Sequence, residues 1–301
     1  MLILVLNSGS SSLKYQLFNT NTERAVAKGV VEKISMPDAF VEHTVYHDME
    51  TSLGIEHRKK TDTIERPIQN HNEALTMVTT LLTHPDLGVI HDLSEISAVG
   101  HRIVHGGDCF SEAVEITPEI LQKLEELSDL APLHNPPALE GVRACQKEIP
   151  GVPNVAVFDT AFHQTMAPEA YMYPLSYEMY EKYNVRRYGF HGTSHRYVCN
   201  QVIELLGKPR EETRIITCHM GNGISLTAIK GGKVVDTSMG FTPLEGIMMG
   251  TRCGTNDPSC VTFLMQKEGW DFTQISDYLN KKCGLLGISG ISSDMRDIRK
   301  A

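Results

Sequence analysis

The chain has 301 residues and a formal net charge of −9, with 41% apolar and 22% charged residues. That is long enough for two domains and a sizeable core, and the acidic balance argues against non-specific nucleic-acid binding, which needs a basic face. Seven scattered cysteines without a CxxC pair exclude a disulfide framework or zinc ribbon, and no charged leader or long apolar run predicts a signal peptide or membrane span, so the expected setting is the cytoplasm.

In chain order, Leu2–Leu6 reads as a buried strand that breaks into Asn7-Ser-Gly-Ser-Ser-Ser12 and returns through Leu13-Lys-Tyr15. Nearly the same pattern recurs at Ile215-Ile-Thr-Cys-His-Met-Gly-Asn-Gly-Ile-Ser-Leu-Thr-Ala-Ile229. Each predicts a hairpin whose tip presents backbone N–H groups and small hydroxyls, a concave site that suits phosphate. Two ordinary hairpins would leave the same trace; as a pair, they suggest two related halves gripping one polyphosphate.

A third strand is predicted at 24–34, and the polar stretch 35–72 reads as irregular strands and loops. Helices are expected at 72–83 and at 118–130, where Thr117 can cap and Pro118 opens the first turn. Short strands are expected at 96–100 and 155–158, and a helix at 194–206 should stop at Gly207. The alternation predicts an α/β chain with domains 1–150 and 151–301, divided at Pro150-Gly-Val-Pro153, each carrying one phosphate hairpin.

Polar residues gather at strand ends, where open α/β sheets bind ligands. Arg102 follows one strand, Asp159 another, Asn222 lies in the second hairpin tip, and Arg252 sits in Met249-Gly-Thr-Arg-Cys-Gly254. Glycine-flanked arginines suit neutralising phosphoryl oxygens or a carboxylate, although a surface salt bridge would use the same residue. Asp159 is either a structural cap or a carboxylate at the mouth of a Mg²⁺–phosphate site. The i, i+4 pairs His101/His105 and His191/His195 could hold zinc on a helix, but Gly106 and Gly192 make a continuous helix doubtful there, and pocket-lining or core roles fit better. No Walker lysine motif and no strand-to-helix GxGxxG is present.

Taken in order, these stretches resemble the acetate kinases, a branch of the actin, sugar-kinase and heat-shock ATPase superfamily. They are Leu6–Tyr15, Gly100–Gly107, Leu130–Pro136, Val157–Thr165, Tyr188–His195, His219–Gly223, Asp236–Gly246 and Gly287–Asp294. The resemblance implies two domains with duplicated ribonuclease H-like sheets flanked by helices, and a homodimer. It implies transfer of the ATP γ-phosphoryl group to acetate with Mg²⁺, or Mn²⁺ in its place. Propionate and butyrate kinases are neighbours within this class.

The resemblance also implies roles. Asn7 matches the metal position of the first loop, with Ser10, Ser12 and Lys14 on phosphate; His219, Gly221, Asn222 and Gly223 match the second loop. Arg102 and Arg252 match the pair on acetate and the moving phosphoryl, His134 and His191 the histidines on phosphoryl oxygens, and Asp159 the carboxylate beside metal and substrate. Val104, Leu133, Phe190 and Pro243 match the pocket for the acetate methyl. Met220, Asp108 and Thr255-Asn256 depart from the usual family residues. The chain reaches Ala301 without the family's Gly-Ile-Gly-Glu-Asn type adenosine motif, so the resemblance implies a second domain lacking the C-terminal quarter. A catalytically impaired fragment that only dimerises or binds phosphate is the alternative, and an actin-like or chaperone ATPase would explain the hairpins but not the two arginines.

Overall fold

The computed structural model describes residues 1–301 except 52, 53 and 133, and leaves out the side chains of 47–51 and 54–58. Contacts divide the chain into two compact units, residues 1–106 with 112–158, and residues 107–111 with 159–301. The division falls at Phe158/Asp159, beyond the Pro150–Pro153 punctuation, because Asn154–Phe158 is a strand paired in parallel with Ile96–Ile103.

The first unit is built on a mixed sheet. Its strands are β1 (Leu2–Ser8), β2 (Ser12–Asn19), β3 (Arg24–Glu32), β4 (Phe40–Thr51), β5 (Gly54–Glu65), β6 (Ile96–Ile103), β7 (Val114–Glu115) and β8 (Asn154–Phe158), in the order β5-β4-β3-β2-β1-β6-β8-β7. β1 to β5 form an antiparallel meander, while β6 adds in parallel to β1 and β8 to β6. The stretch expected to be irregular is therefore a regular hairpin, β4–β5. Its alternation is carried by Val41, His43 and Val45 turning inward with Glu42 outward, and His43 and Thr44 gave it a polar appearance.

Accompanying this sheet are the helices α1 (His71–Leu82), α2 (Pro118–Glu126) and α3 (Asn135–Glu148). Asn70 caps α1 by accepting from the Glu73 amide, and Thr117 caps α2 with Pro118 in its first turn. The expected helix 118–130 ends as α2 at Glu126 and tightens into a 3₁₀ turn over Leu127–Leu130. α1 and α3 pack on the sheet and enclose Leu4, Leu6, Leu17, Val31, Leu75, Val78, Leu82 and Cys145, all at most 1% exposed. Gly141 lets α3 come close to the end of β1, since a Cβ there would collide with Ser8 Oγ.

The second unit carries β9 (Arg214–Met220), β10 (Ile224–Lys230) and β11 (Lys233–Thr237), which among the described residues form a three-stranded antiparallel sheet. Its meander repeats the local order of β1-β2-β3, so the duplication read from the two hairpins is present in the backbone pairing. Around it run short helices α4 (Pro168–Tyr171) and α5 (Tyr177–Tyr183), then α6 (Gly192–Leu206), α7 (Pro258–Glu268), α8 (Phe272–Lys281), α9 (Gly284–Ser289) and α10 (Met295–Ile298). α6 ends at Gly207 with φ 60°, the left-handed turn expected of a C-terminal glycine. Met166, Cys199, Ile215, Ile229 and Val234 form the core between α6, the 3₁₀ turn Ala161–Thr165 and the sheet. None of the seven cysteines is in a disulfide, and among the described residues no helix is long and apolar enough to cross a membrane.

Candidate active site

In the first unit the β1–β2 turn closes with the Gly9 amide on Ser12 O at 2.8 Å, and His71 Nε2 bonds Gly9 O at 2.7 Å from below. Asn7 and Lys14 are directly paired across the two strands, which puts both side chains on one sheet face. Arg102, near the end of β6, reaches the same place: its Nη1 donates to Asn7 Oδ1 at 3.4 Å. Ser10 is exposed and Ser12 half-buried, at the turn itself. Val104 is buried just after β6, and His134 is half-buried at the N-cap of α3 with its amide on Ala131 O. Leu133 lies outside the described residues. The first unit thus gathers Asn7, Ser12, Lys14 and Arg102 around one hairpin end.

In the second unit the β9–β10 turn is Gly221-Asn222-Gly223, closed by the Gly221 amide on Gly223 O at 3.1 Å. Asn222 O accepts from the Gly250 amide at 3.1 Å, which ties this tip to the loop bearing Arg252. Arg252 Nη1 donates to Pro243 O at 3.1 Å. A Cβ placed on Gly223 would meet Arg252 Nη1 at 3.3 Å and His191 Nε2 at 3.4 Å, so these two groups converge over a glycine that leaves them room. Burial pushes the Arg252 pKa below its usual value, yet a guanidinium remains cationic at neutral pH.

His191 stands at the N-cap of α6 in the left-handed region, φ 61° and ψ 22°. The helix therefore begins at Gly192, immediately after His191, and the doubt raised by that glycine is resolved: Gly192 starts the helix. Its amide donates to Asp159 O at 2.8 Å, and a Cβ there would collide with the same oxygen. This contact brings Asp159, only 2% exposed, beside the head of α6. His191 Nδ1 is 2.8 Å from Ser225 Oγ, and its ring stacks on His219, whose Nδ1 is 3.0 Å from Ser194 Oγ. Phe190 is 1% exposed and belongs to the interior, while Pro243 is partly exposed.

The zinc reading of the histidine pairs falls away. His101 lies on β6 with Nε2 bonded to Asn154 Oδ1 at 2.7 Å, and Asn135 brackets the His105 backbone through its amide and carbonyl. His195 has both ring nitrogens on hydroxyls, Nδ1 on Thr217 at 2.7 Å and Nε2 on Ser225 at 2.8 Å. Among the described residues no group of three His, Cys, Asp or Glu side chains is arranged to hold a metal. Burial holds His101 and His195 down to about 4, so both are neutral at pH 7.

Sequence reasoning missed the hydroxyls behind the histidines. Ser225 and Thr227 face inward on β10, and Thr217 does so on β9, all at most 3% exposed. Their signal is an apolar–polar alternation whose inward positions carry Ser and Thr, opposite a histidine-rich segment. It also missed the clamp on the 238–246 loop. Glu245 accepts from Tyr173 OH and from Arg187 Nη2 at 2.8 Å, while Arg187 Nη1 reaches Thr237 O, Ser238 O and Met239 O. That loop carries Pro243, the acceptor for Arg252.

Each hairpin end thus combines backbone donors, hydroxyl or imidazole groups and an arginine, an assembly suited to multiply charged oxyanions. A sequence profile described as the Acetokinase family matches residues 2–301. The acetate kinase of Caldicellulosiruptor bescii is 57% identical over 301 residues, which is 100% of this chain and 72% of that protein. That of Caldanaerobacter subterraneus subsp. tengcongensis is 56% identical with the same coverage. The crystal structure of Porphyromonas gingivalis acetate kinase matches with TM-score 0.90 at 49% identity, covering 100% of this chain and 72% of that one. A propionate kinase from Francisella tularensis matches with TM-score 0.87 at 41% identity, covering 99% and 72%. The α/β fold is the one these kinases share, and with matches that run the length of the sequence the chain belongs to the acetokinase family.

Proposed function

We propose that this chain catalyses the reversible, Mg²⁺-dependent transfer of the ATP γ-phosphoryl group to acetate, giving acetyl phosphate and ADP by direct in-line displacement. The observation that carries this reading is the convergence of Arg252 and His191 over Gly223, on a chain similar to acetate kinases throughout. Acetate is already ionised at neutral pH, so no general base is needed. The barrier lies in bringing two anions together in line, and cationic and hydrogen-bonding groups lower it.

In this reading Arg252 neutralises oxygens of the transferring phosphoryl group and His191 donates to one of them. Gly221, Asn222, Gly223 and His219 supply the second phosphate loop; Ser10, Ser12 and Lys14 supply the first, with Arg102 on the acetate carboxylate and His134 on phosphoryl oxygen. Val104, Phe190 and Pro243 are the residues that the family resemblance assigns to the acetate methyl; Leu133, assigned with them, lies outside the described residues. Asn7 fits a hard divalent cation: its side-chain oxygen is half-buried at the end of β1 and, among the described residues, takes only the long 3.4 Å contact from Arg102. Asn7 would hold Mg²⁺, or Mn²⁺ in its place, with Asp159 the carboxylate that serves metal and substrate. When bound, the ion would neutralise phosphoryl charge as a Lewis acid. The working form in this reading is a cytoplasmic homodimer without nucleic-acid or membrane partners.

A second reading is a propionate kinase, favoured by the match to the Francisella tularensis propionate kinase. Butyrate would be the next homologue in that series, and one methylene in an apolar pocket changes selectivity by only about 1–3 kcal/mol. The test is a hydroxamate trap for acyl phosphate with ATP, Mg²⁺ and either acetate or propionate, beside an Arg252→Ala control. Acetyl hydroxamate that disappears in the control supports acetate phosphorylation; a clear preference for propionate selects the second reading. No product from folded protein would mean that the chain only binds phosphate or assembles.

A further inference from the structure

We propose that Thr217, His195 and Ser225 form a one-way hydrogen-bond relay that fixes the tautomer of His191, so that its Nε2 carries the proton and meets the phosphoryl group as a donor. This rests on the reading of the site as one that handles phosphoryl oxygens. The three are positioning residues acting through His191.

Ser225 is fully buried on β10, and its Oγ lies 2.8 Å from His191 Nδ1 and 2.8 Å from His195 Nε2. The Ser225 hydroxyl has one proton and two lone pairs, and when its proton goes to one imidazole it accepts from the other. His195 is neutral and therefore has a single N–H, shared between Ser225 and Thr217, whose Oγ1 is 2.7 Å from Nδ1. With His191 neutral as well, only two polarities satisfy every member. In the first, Thr217 donates to His195 Nδ1, His195 Nε2–H donates to Ser225, and Ser225 donates to His191 Nδ1, which leaves the His191 proton on Nε2. In the second, every bond reverses and a neutral His191 turns a lone pair toward the hairpin tip.

His191 Nε2 faces Gly223 beside Arg252 Nη1, the place assigned to phosphoryl oxygens, which only accept hydrogen bonds. A lone pair there would repel the anion, whereas an N–H would bind it, so the first polarity is the one compatible with the site. The ring has little freedom to escape this assignment. Its backbone sits in the left-handed region, where a non-glycine residue is strained, and one ring face is covered by His219 at 4.0 Å between centroids.

The experiment is long-range ¹H–¹⁵N correlation on the full chain with ¹⁵N-labelled histidine at pH 7.5, which distinguishes a protonated from an unprotonated ring nitrogen. The expected result is an Nε2–H pattern for His191 in the wild-type protein, a measurement that depends on no variant folding. In Ser225→Ala the pattern should become mixed and kcat should fall about tenfold, the effect of one lost oriented hydrogen bond, with KM for ATP within about twofold. Ser225→Thr, which keeps the hydroxyl, should restore both. An Nδ1–H or doubly protonated pattern in the wild type, or a tautomer unchanged by Ser225→Ala, overturns the relay. A wild-type Nε2–H signal in protein that makes no acyl phosphate would support the relay while removing the functional reading on which it was placed.

Discussion

The ring of His191 lies on the ring of His219, with centroids 4.0 Å and planes 24° apart. One residue stands at the N-cap of α6 and the other is the last but one of β9, so the stack ties the head of the helix to the strand leading into the Gly221–Gly223 turn. Aromatic pairing of this kind contributes about 1 kcal/mol beyond burial. His219→Ala should therefore lower kcat/KM about fivefold, more if His219 also touches phosphate. Steady-state kinetics in both directions checks this, and an unchanged kcat/KM would show that the stack does not position His191.

Acid should destabilise the fold through its buried histidines. Burial holds His101 and His195 down to about 4 and His163 to about 3, against an ordinary value of 6.5. The unfolded chain takes up these protons near 6.5 while the folded chain stays neutral, so the stability they contribute is complete above about 6.5 and is lost as pH falls toward 4. The loss is on the order of 1 kcal/mol per pH unit for each histidine within that window. Urea midpoints at pH 7.5 and 5.5 should differ accordingly; equal midpoints would place these rings in contact with solvent.

Gly192→Ala introduces a Cβ against the carbonyl oxygen of Asp159 and must break or stretch the 2.8 Å bond between Gly192 N–H and that oxygen. The expected cost is about 2–3 kcal/mol of stability, as for other overpacked buried positions. A thermal melt measures it, and a variant as stable as wild type would show that the head of α6 is free to move away from Asp159.

Glu245→Ala should loosen the loop that carries Pro243. The substitution removes the acceptor for Tyr173 OH and leaves Arg187, only 19% exposed, without its carboxylate. A loss on the order of 2 kcal/mol is expected for this partly exposed pair, together with a rise in KM for acetate. If KM stays constant while stability falls, the clamp is structural and does not reach the substrate.

Arg252→Lys tests whether charge alone is enough. Lysine keeps the cation but loses the planar fork, including the 3.1 Å bond to Pro243 O. The expected fall in kcat is about 10²-fold or more, with the fold intact by circular dichroism. Activity near that of wild type would reduce Arg252 to a point charge.

The two hairpins were legible because Gly, Ser and Asn interrupt runs of alternating apolar residues, and that punctuation acts locally. The start of α2 and the end of α6 were legible for the same reason, through Thr117 and Gly207. The β4–β5 hairpin was not, since one of its inward positions is His43, whose polarity is satisfied only after folding: His43 is bonded to Tyr15 OH and to Leu87 O. Nor was the role of the i, i+4 pair His191/His195, because spacing shows what could share a helix face but not which hydroxyls a neighbouring strand will bring.

By itself the sequence determined the α/β class, the duplicated hairpins and the identity of Arg102, Asp159, His191 and Arg252 as candidates, because these depend on local periodicity, turn chemistry and long ordered motifs. The tertiary structure alone decided that Asp159 is joined to the head of α6, that Arg252 is held by Pro243 beside Gly223, and that His191 is supported by Ser225, His195 and His219. The reason is physical. A hydrogen bond or a ring contact needs two groups within a few ångströms, and for residues far apart in the chain that distance is set by strand pairing and helix packing, which no local pattern encodes.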